Sequence, residues 1–336
     1  MKHLRRNSCL LALLISAASA ARGRADEPWV TYEGGQGPGN GHQIVLVSGD
    51  EEYRSEEGLP MLGKILAVRH GFRCTVLFSI DPANGIIDPN KQTNIPGLEA
   101  LATADMMVIA TRFRELPDAQ MKFIDEFVQS GKPIMGLRTA THAFQYRRNK
   151  ASRYAKYDFR STAWPGGFGQ QVLGDTWISH HGHHGHESTR GVIDSAQADH
   201  PILRGVHDVW GPTDVYTIKN LPPDATVLVH GQVLSGMKPT DPPNTDKPTM
   251  PLVWTRPFTG AAGKTARVIC TTMGASVDLQ SEGLRRLLVN ACYWGLGLED
   301  QIPAKSNVDY VGSYQPSFFG GNRFKRGVRP ADLKLP

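Results

Sequence analysis

The sequence predicts an α/β fold, a doubly wound and mainly parallel sheet with loop insertions, on three observations. Up to Leu137, short apolar runs alternate with amphipathic stretches. The runs carry almost no polar residue, as strands covered on both faces require. The amphipathic stretches place their apolar residues at helical spacing. Strands alternating with helices pair in parallel through right-handed crossovers.

Taken in order, Gln43 to Ser48 (QIVLVS) reads as the first strand, closed by Gly49 and Asp50. Ser55, Glu56 and Glu57 open a helix whose apolar face is Leu59, Leu62, Ile65 and Leu66. Cys74 to Phe78 and Met106 to Ala110 are the next strands. A helix from Asp118 to about Gln129 places Met121, Ile124, Phe127 and Val128 on one side, and Gly131 stops it. Pro133 to Leu137 is the fourth strand. Beyond it the pattern loosens. Arg190 to Ile193, Val227 to Val229, Leu252 to Trp254 and Val268 to Thr271 read as further strands, and Glu282 to Trp294 as the last long helix. Residues 300–336 carry Pro, Gly, Ser and isolated aromatics, which predicts an extended tail on the surface of the domain spanning 26–299.

Residues 1–25 read as a removable export signal: Lys2, Arg5 and Arg6 precede an apolar run from Cys9 to Ile15 and small residues through Ala20. The expected location is therefore periplasmic or secreted. That run is too short to cross a bilayer, and no later stretch comes near the roughly 20 apolar residues a span needs. The formal charge of +5 equals the contribution of Lys2, Arg5, Arg6, Arg22 and Arg24, so the chain after them is about neutral. This excludes the clustered basic face that nucleic-acid binding requires. Arg323, Lys325, Arg326 and Arg329 form a short basic cluster that a solvated tail explains. Cys74, Cys270 and Cys292 lie in apolar segments and read as buried thiols, without a disulfide framework. Nothing in the sequence sets the oligomeric state.

In an open parallel sheet, ligands bind outside the carboxyl ends of the strands, near the point where strand order reverses. Three segments land there: Ser48 to Arg54, with Asp50, Glu51 and Tyr53; Thr111 to Arg114, with Arg112; and Arg138 to His142, with Thr139 and Thr141. Together they offer carboxylates, guanidinium forks, hydroxyls, an imidazole and aromatic faces, the mixture a polyhydroxylated or carboxylated small molecule requires. Each residue taken singly has an ordinary loop contact as its competing explanation. His142 follows the fourth strand at the expected start of a helix, where an imidazole tends to stay neutral and able to accept a proton. Asp214 and Tyr216 alternate along an extended segment and so face the same way, as a site pair or as core-edge packing.

The segment His180-His181-Gly182-His183-His184-Gly185-His186-Glu187 is the most unusual local feature. Imidazoles two residues apart on an extended chain lie about 7 Å apart, too far to share one ion unless the backbone bends. Gly182 and Gly185 permit that bend. Two or three of these histidines, with His181, His183 and His186 the expected ones, closed by Glu187 or a sheet carboxylate, would suit zinc or another divalent first-row ion. An exposed histidine loop that binds metal adventitiously, or one that supplies a substrate contact or base, reads equally from the residues.

Lys132 to His142 resembles the strand-turn-helix of class I glutamine amidotransferases, in which a cysteine forms a nucleophile elbow. Arg138 stands in that place, and a guanidinium is no nucleophile. The same segment is more similar to the ThuA-like (trehalose-utilisation) family, with further likeness in Asp199-His200-Pro201-Ile202, Thr213-Asp214-Val215-Tyr216 and Pro251-Leu252-Val253-Trp254. The likeness runs from about Gln43 to Leu298. It departs at Arg138, where the family often has histidine, at Val215, where it has glutamate, and at Met273-Gly274-Ala275, where it has Leu-Gly-His. The chain therefore either uses His142 and the later histidines instead or has lost activity.

The resemblance implies a flavodoxin-like, class I glutamine amidotransferase-like fold and an exported protein acting on a sugar or oxidised (keto) glycoside as a hydrolase, lyase or isomerase without a cysteine nucleophile. His142, Arg138, Asp214 and Tyr216 are the expected catalytic groups. Asp50, Glu51, Tyr53, Arg54, Arg112, Thr139, Thr141 and Trp254 are the expected substrate contacts. The alternative is a noncatalytic carbohydrate-binding or accessory module of an exported degradation system. A dehydrogenase ranks last, since Ser48-Gly49-Asp50-Glu51 puts acids where a pyrophosphate would lie.

Overall fold

The computed structural model describes residues 27–335, so the expected export signal over residues 1–25 lies outside the described residues. Its twelve strands are β1 (Trp29–Tyr32), β2 (Gln43–Gly49), β3 (Arg73–Leu77), β4 (Ile80–Asp81), β5 (Ile86–Ile87), β6 (Met106–Thr111), β7 (Ile134–Leu137), β8 (Ser188–Ile193), β9 (Trp210–Gly211), β10 (Thr226–Leu234), β11 (Met250–Thr259) and β12 (Thr265–Thr271). The α-helices are α1 (Ser55–His70), α2 (Asp118–Gln129) and α3 (Glu282–Gly295). Strands β4 and β5 form a small ribbon, and the other ten make one sheet in the order β1-β3-β2-β6-β7-β12-β11-β10-β8-β9.

The sheet is mixed, which corrects the expectation of a mainly parallel one. Strands β3, β2, β6, β7 and β12 are mutually parallel, whereas β1 and the β11-β10-β8-β9 half run antiparallel to their neighbours. The cause is the connection between β11 and β12. It is a tight hairpin in which Lys264 O accepts from Gly260 N at 3.0 Å and Gly263 takes φ 71°. A hairpin joins antiparallel strands, whereas parallel ones need a long crossover.

Alternation along the central strands fills two cores. Ile44 and Leu46 of β2 face α1 and α3 with Leu62, Ile65, Leu287 and Leu288, while Val45 and Val47 face α2 with Met121 and Ile124. All of these side chains are buried, so the near-absence of polar residues in Gln43–Gly49 follows from coverage on both faces. Ser281 caps α3 by accepting from Leu284 N. Gly71 ends α1 at φ 85°, its N–H bonded to Ala67 O. The cysteines Cys74, Cys270 and Cys292 are free and buried. No helix among the described residues is long and apolar enough to cross a membrane.

Residues from Gln301 onward are mostly irregular but firmly attached. Asn307 O accepts from His70 Nε2 at 2.7 Å, Tyr314 OH donates to Ser276 O at 2.7 Å, and Ser317 N donates to Glu57 at 2.9 Å. Gly320 N then bonds Glu52 O at 2.8 Å, which brings the tail to the carboxyl edge of the sheet.

Candidate functional site

Strand order reverses between β2 and β6, and the loops leaving β2, β6 and β7 meet there. Each loop holds one non-glycine residue at positive φ: Arg54 at 60°, Phe113 at 53° and Arg138 at 46°. Such conformations cost on the order of 1–3 kcal/mol each and gather where surrounding structure forces them, often at functional sites. The turn after β7 is a short 3-10 segment, Arg138–His142, and not the start of a long helix. The expected helix-terminus effect on His142 therefore has no full helix behind it.

Arg138 is not the pocket-facing guanidinium expected of it. It is 1% exposed and donates to Asp214 O and Thr272 O, each at 2.6 Å, to Asp214 Oδ1 at 3.0 Å and to Tyr53 OH at 3.2 Å. Its guanidinium also lies 3.8 Å from the centroid of the Tyr216 ring and 4.5 Å from that of Tyr53. Burial works against its charge, yet Tyr216, Tyr53 and Asp214 outweigh that and hold its pKa above the ordinary range.

Asp214 is the hub. Its Oδ2 accepts from His180 Nδ1 at 2.6 Å and its Oδ1 from His184 Nδ1 at 3.0 Å, beside Arg138. Burial alone would raise this carboxyl, but Arg138 and the two imidazoles bring it below the usual carboxylate range. His184 Nε2 lies 3.5 Å from Glu52, and its bonds to Asp214 and Glu52 push its pKa up to about 9.

Within the histidine loop it is His180 and His184 that meet at Asp214, and not the expected set of His181, His183, His186 and Glu187. His181 Nε2 bonds Pro248 O at 2.8 Å, and His183 and His186 stack on each other at 4.4 Å. Glu187 is taken by Lys247 at 2.6 Å, Asn244 at 2.7 Å and His183 N at 2.6 Å. The segment turns instead of extending, so imidazoles four residues apart converge; Gly185 at φ 75° is part of that turn. Gly182 is required by close approach, because a Cβ there would stand 2.9 Å from Asp214 Cβ.

His142 is 2% exposed, with Nδ1 3.2 Å from Thr141 Oγ1 and with Phe113, Trp177 and Tyr216 ring centroids at 5.1, 5.3 and 6.0 Å. Burial first, then Arg112, Arg138 and His180, holds its pKa well below the ordinary value, so it is neutral. Phe113 and Trp177 are half-buried, and the Trp177 indole N–H is buried without a protein acceptor. Arg112 pairs with Glu51 at 2.6 Å and keeps part of its guanidinium exposed; Glu51 also accepts from Arg114 at 2.5 Å.

Other expected contacts are structural. Trp254 is fully buried and donates to Leu173 O at 2.7 Å, in the core and away from Asp214 and His142. Asp50 is buried, accepting from Thr139 Oγ1 at 2.6 Å and from Glu52 N and Tyr53 N, and so shapes the loop after β2. Arg54 is buried against Glu51 O and Gly320 O. Sequence reasoning missed His180, His184, Glu52, Trp177 and Phe319 as site residues. Phe319 arrives from the tail, its ring 5.6 Å from Tyr53 and 5.0 Å from His184. The signal for His180 and His184 was their four-residue spacing across a glycine, visible only if a turn replaces the extended reading.

The fold and this cluster define an α/β protein with a large mixed sheet and an imidazole-rich charged site at its carboxyl edge. The chain belongs to the ThuA family, trehalose utilisation, whose sequence model matches residues 45–295. No curated protein matches it. Among solved structures it is similar to a ThuA-like protein from Parabacteroides merdae, at 14% identity and TM-score 0.49, over 76% of this chain and 90% of that one. It is also similar to the N-terminal domain of mmIFT52, at 12% identity and TM-score 0.41, over 76% and 97%. An exo-beta-1,4-mannosidase of an Opitutaceae bacterium matches at 10% identity and TM-score 0.36, over 76% of this chain and 36% of that one.

Proposed function

We propose that this ThuA-family protein is an exported enzyme acting on a sugar or an oxidised (keto) glycoside by proton transfer beside a carbonyl. In this reading residues 1–25 direct export and are removed, 26–299 form the catalytic domain, and 300–336 complete the cleft. The five parallel strands with helices on both faces are its flavodoxin-like, class I glutamine amidotransferase-like half. Arg138 at the elbow position leaves glutamine hydrolysis without a nucleophile.

The observation that carries the reading is Trp177, half-buried between His142 at 5.3 Å and His180 at 5.8 Å, with a buried indole N–H that no protein group accepts. A buried donor without a partner calls for an explanation, and a substrate hydroxyl or carbonyl supplies one. Indole and phenyl faces from Trp177 and Phe113 give a sugar ring its apolar wall, while Arg112, Glu51 and Glu52 fix its polar edge. Neutral His142 takes the proton next to the carbonyl, and the charge developing on oxygen is met by the electropositive groups of the cleft.

Purified mature protein would be incubated with trehalose, other disaccharides and their 3-keto forms, with and without added zinc, and products followed by NMR. Product from one of these classes, lost on Trp177→Phe, is expected. Sugar binding with no product from any of them would replace the enzyme with a noncatalytic carbohydrate-binding module.

A further inference from the structure

We infer that His180, His184 and Asp214 form a binding site for one divalent first-row metal ion of the zinc class. The inference rests on the proposed function only in placing the ion beside the substrate cleft; the ligand geometry stands by itself. One donor atom from each of the three residues lies within 4.8 Å of the others. Both imidazoles aim Nδ1 at the same carboxylate, at 2.6 and 3.0 Å. A tetrahedral shell with bonds of about 2.0–2.1 Å separates its ligands by roughly 3.4 Å, so the three side chains need only small rotations to admit an ion.

The backbone beside Asp214 already holds the start of the histidine loop in place. His180 pairs with Tyr216 in an isolated bridge, and His181 N and Gly182 N both donate to Val215 O, at 2.8 and 3.0 Å. Gly182 passes against Asp214 where no larger residue fits. The surrounding shell is that of a metal site as well. Arg138 bonds Asp214 Oδ1 at 3.0 Å, and Glu52 faces His184 Nε2, the ring nitrogen left free of the ion, at 3.5 Å. Partners of this kind orient metal ligands and are a regular companion of histidine coordination.

Two nitrogens and one carboxylate select zinc, cobalt(II), iron(II) or manganese(II) over magnesium or calcium, which take oxygen shells. Three protein ligands leave positions open, the mark of a catalytic and not a structural ion. The two imidazoles are about one-third exposed, so solvent or a substrate oxygen reaches the open side. An ion here would polarise a substrate carbonyl lying against Trp177, whose ring is 5.8 Å from that of His180.

The test is titration of the untagged, metal-stripped chain with cobalt(II) and zinc(II), read by visible absorption and calorimetry, in the wild type and three variants. One ion per chain is expected, with tetrahedral or five-coordinate cobalt bands. His180→Ala and His184→Ala should each weaken binding at least about 100-fold while circular dichroism stays unchanged. His183→Ala/His186→Ala, which removes the neighbouring stacked pair, should bind as the wild type does. Loss of the ion in that double variant with retention in the two single ones would overturn the inference, as would the absence of stoichiometric binding in the wild type. These readouts need no turnover, so a metal-binding protein inactive on every sugar would sink the proposed function and leave the ion site standing.

Discussion

The guanidinium of Arg138 grips Asp214 twice, donating to its main-chain oxygen at 2.6 Å and to its carboxylate at 3.0 Å. Both side chains are 1% exposed or less, and Arg138 adopts φ 46° to make the contact. Arg138→Ala would leave the buried Asp214 carboxylate with only its two imidazole partners, and removing one partner of a buried pair costs about 3–5 kcal/mol. For a domain of this size we expect the melting temperature to fall by roughly 10 °C. Arg138→Lys should recover only part, since an ammonium cannot make the forked contact. An alanine variant melting within a degree of wild type would show that the pair holds nothing.

Glu56 is buried at the start of α1, and burial, only partly offset by the Arg54 guanidinium 3.8 Å away, pushes its pKa up to about 8. The folded chain then holds this proton more tightly than the unfolded chain does. Stability from this group is full below the unfolded value near 4.5 and is lost as pH rises toward 8, by on the order of a few kcal/mol at most. Glu56→Gln should flatten the slope of unfolding free energy against pH between 5 and 8. Urea melts at several pH values check this; an unchanged slope would mean that Glu56 is ionised in the folded protein.

Phe319 packs on Tyr53 and His184 although it belongs to the tail, and it is 3% exposed. Phe319→Ala should loosen the tail around 313–324 before it lowers global stability, because the rest of the domain has its own two cores. Limited proteolysis should cut there faster in the variant than in the wild type. Equal cleavage rates would show that the ring does not hold the tail down.

The parallel half of the sheet was legible because its strands are covered on both faces, which leaves runs such as Gln43–Gly49 with almost no polar residue. Helix α2 was legible from four apolar positions at helical spacing and from Gly131 just beyond its end. The antiparallel half was not legible from its strands read short: β11 and β12 are 10 and 7 residues long, and only their full length shows that they meet in one hairpin at Gly260 and Gly263. The loops of the site followed from the strand ends. Which of their side chains meet did not, because Asp214 lies 30 residues from His184 in sequence and Phe319 comes from a tail with no periodicity at all. Residues with apparent site chemistry, such as Arg138 and Asp50, proved instead to satisfy buried backbone and side-chain groups.

His142 is the residue on which the proposed proton transfer turns. It sits among Phe113, Phe159, Trp177 and Tyr216, with ring centroids at 5.1, 6.1, 5.3 and 6.0 Å, and Thr141 Oγ1 is 3.2 Å from its Nδ1. Burial and the nearby charges of Arg112 and Arg138 keep it unprotonated, the form a base requires. The same setting suits an imidazole that only fills an aromatic cage, and the two roles separate on substitution. His142→Gln keeps much of the volume and a hydrogen bond to Thr141 but removes the base, and loss of a general base lowers rate by about 10²–10⁴. We expect turnover at saturating substrate to fall by that factor, with sugar affinity and melting temperature little changed. Equal loss of affinity and stability with unchanged turnover per folded molecule would make His142 a packing residue, and the search for the base would move to Glu51 and Glu52 at the rim.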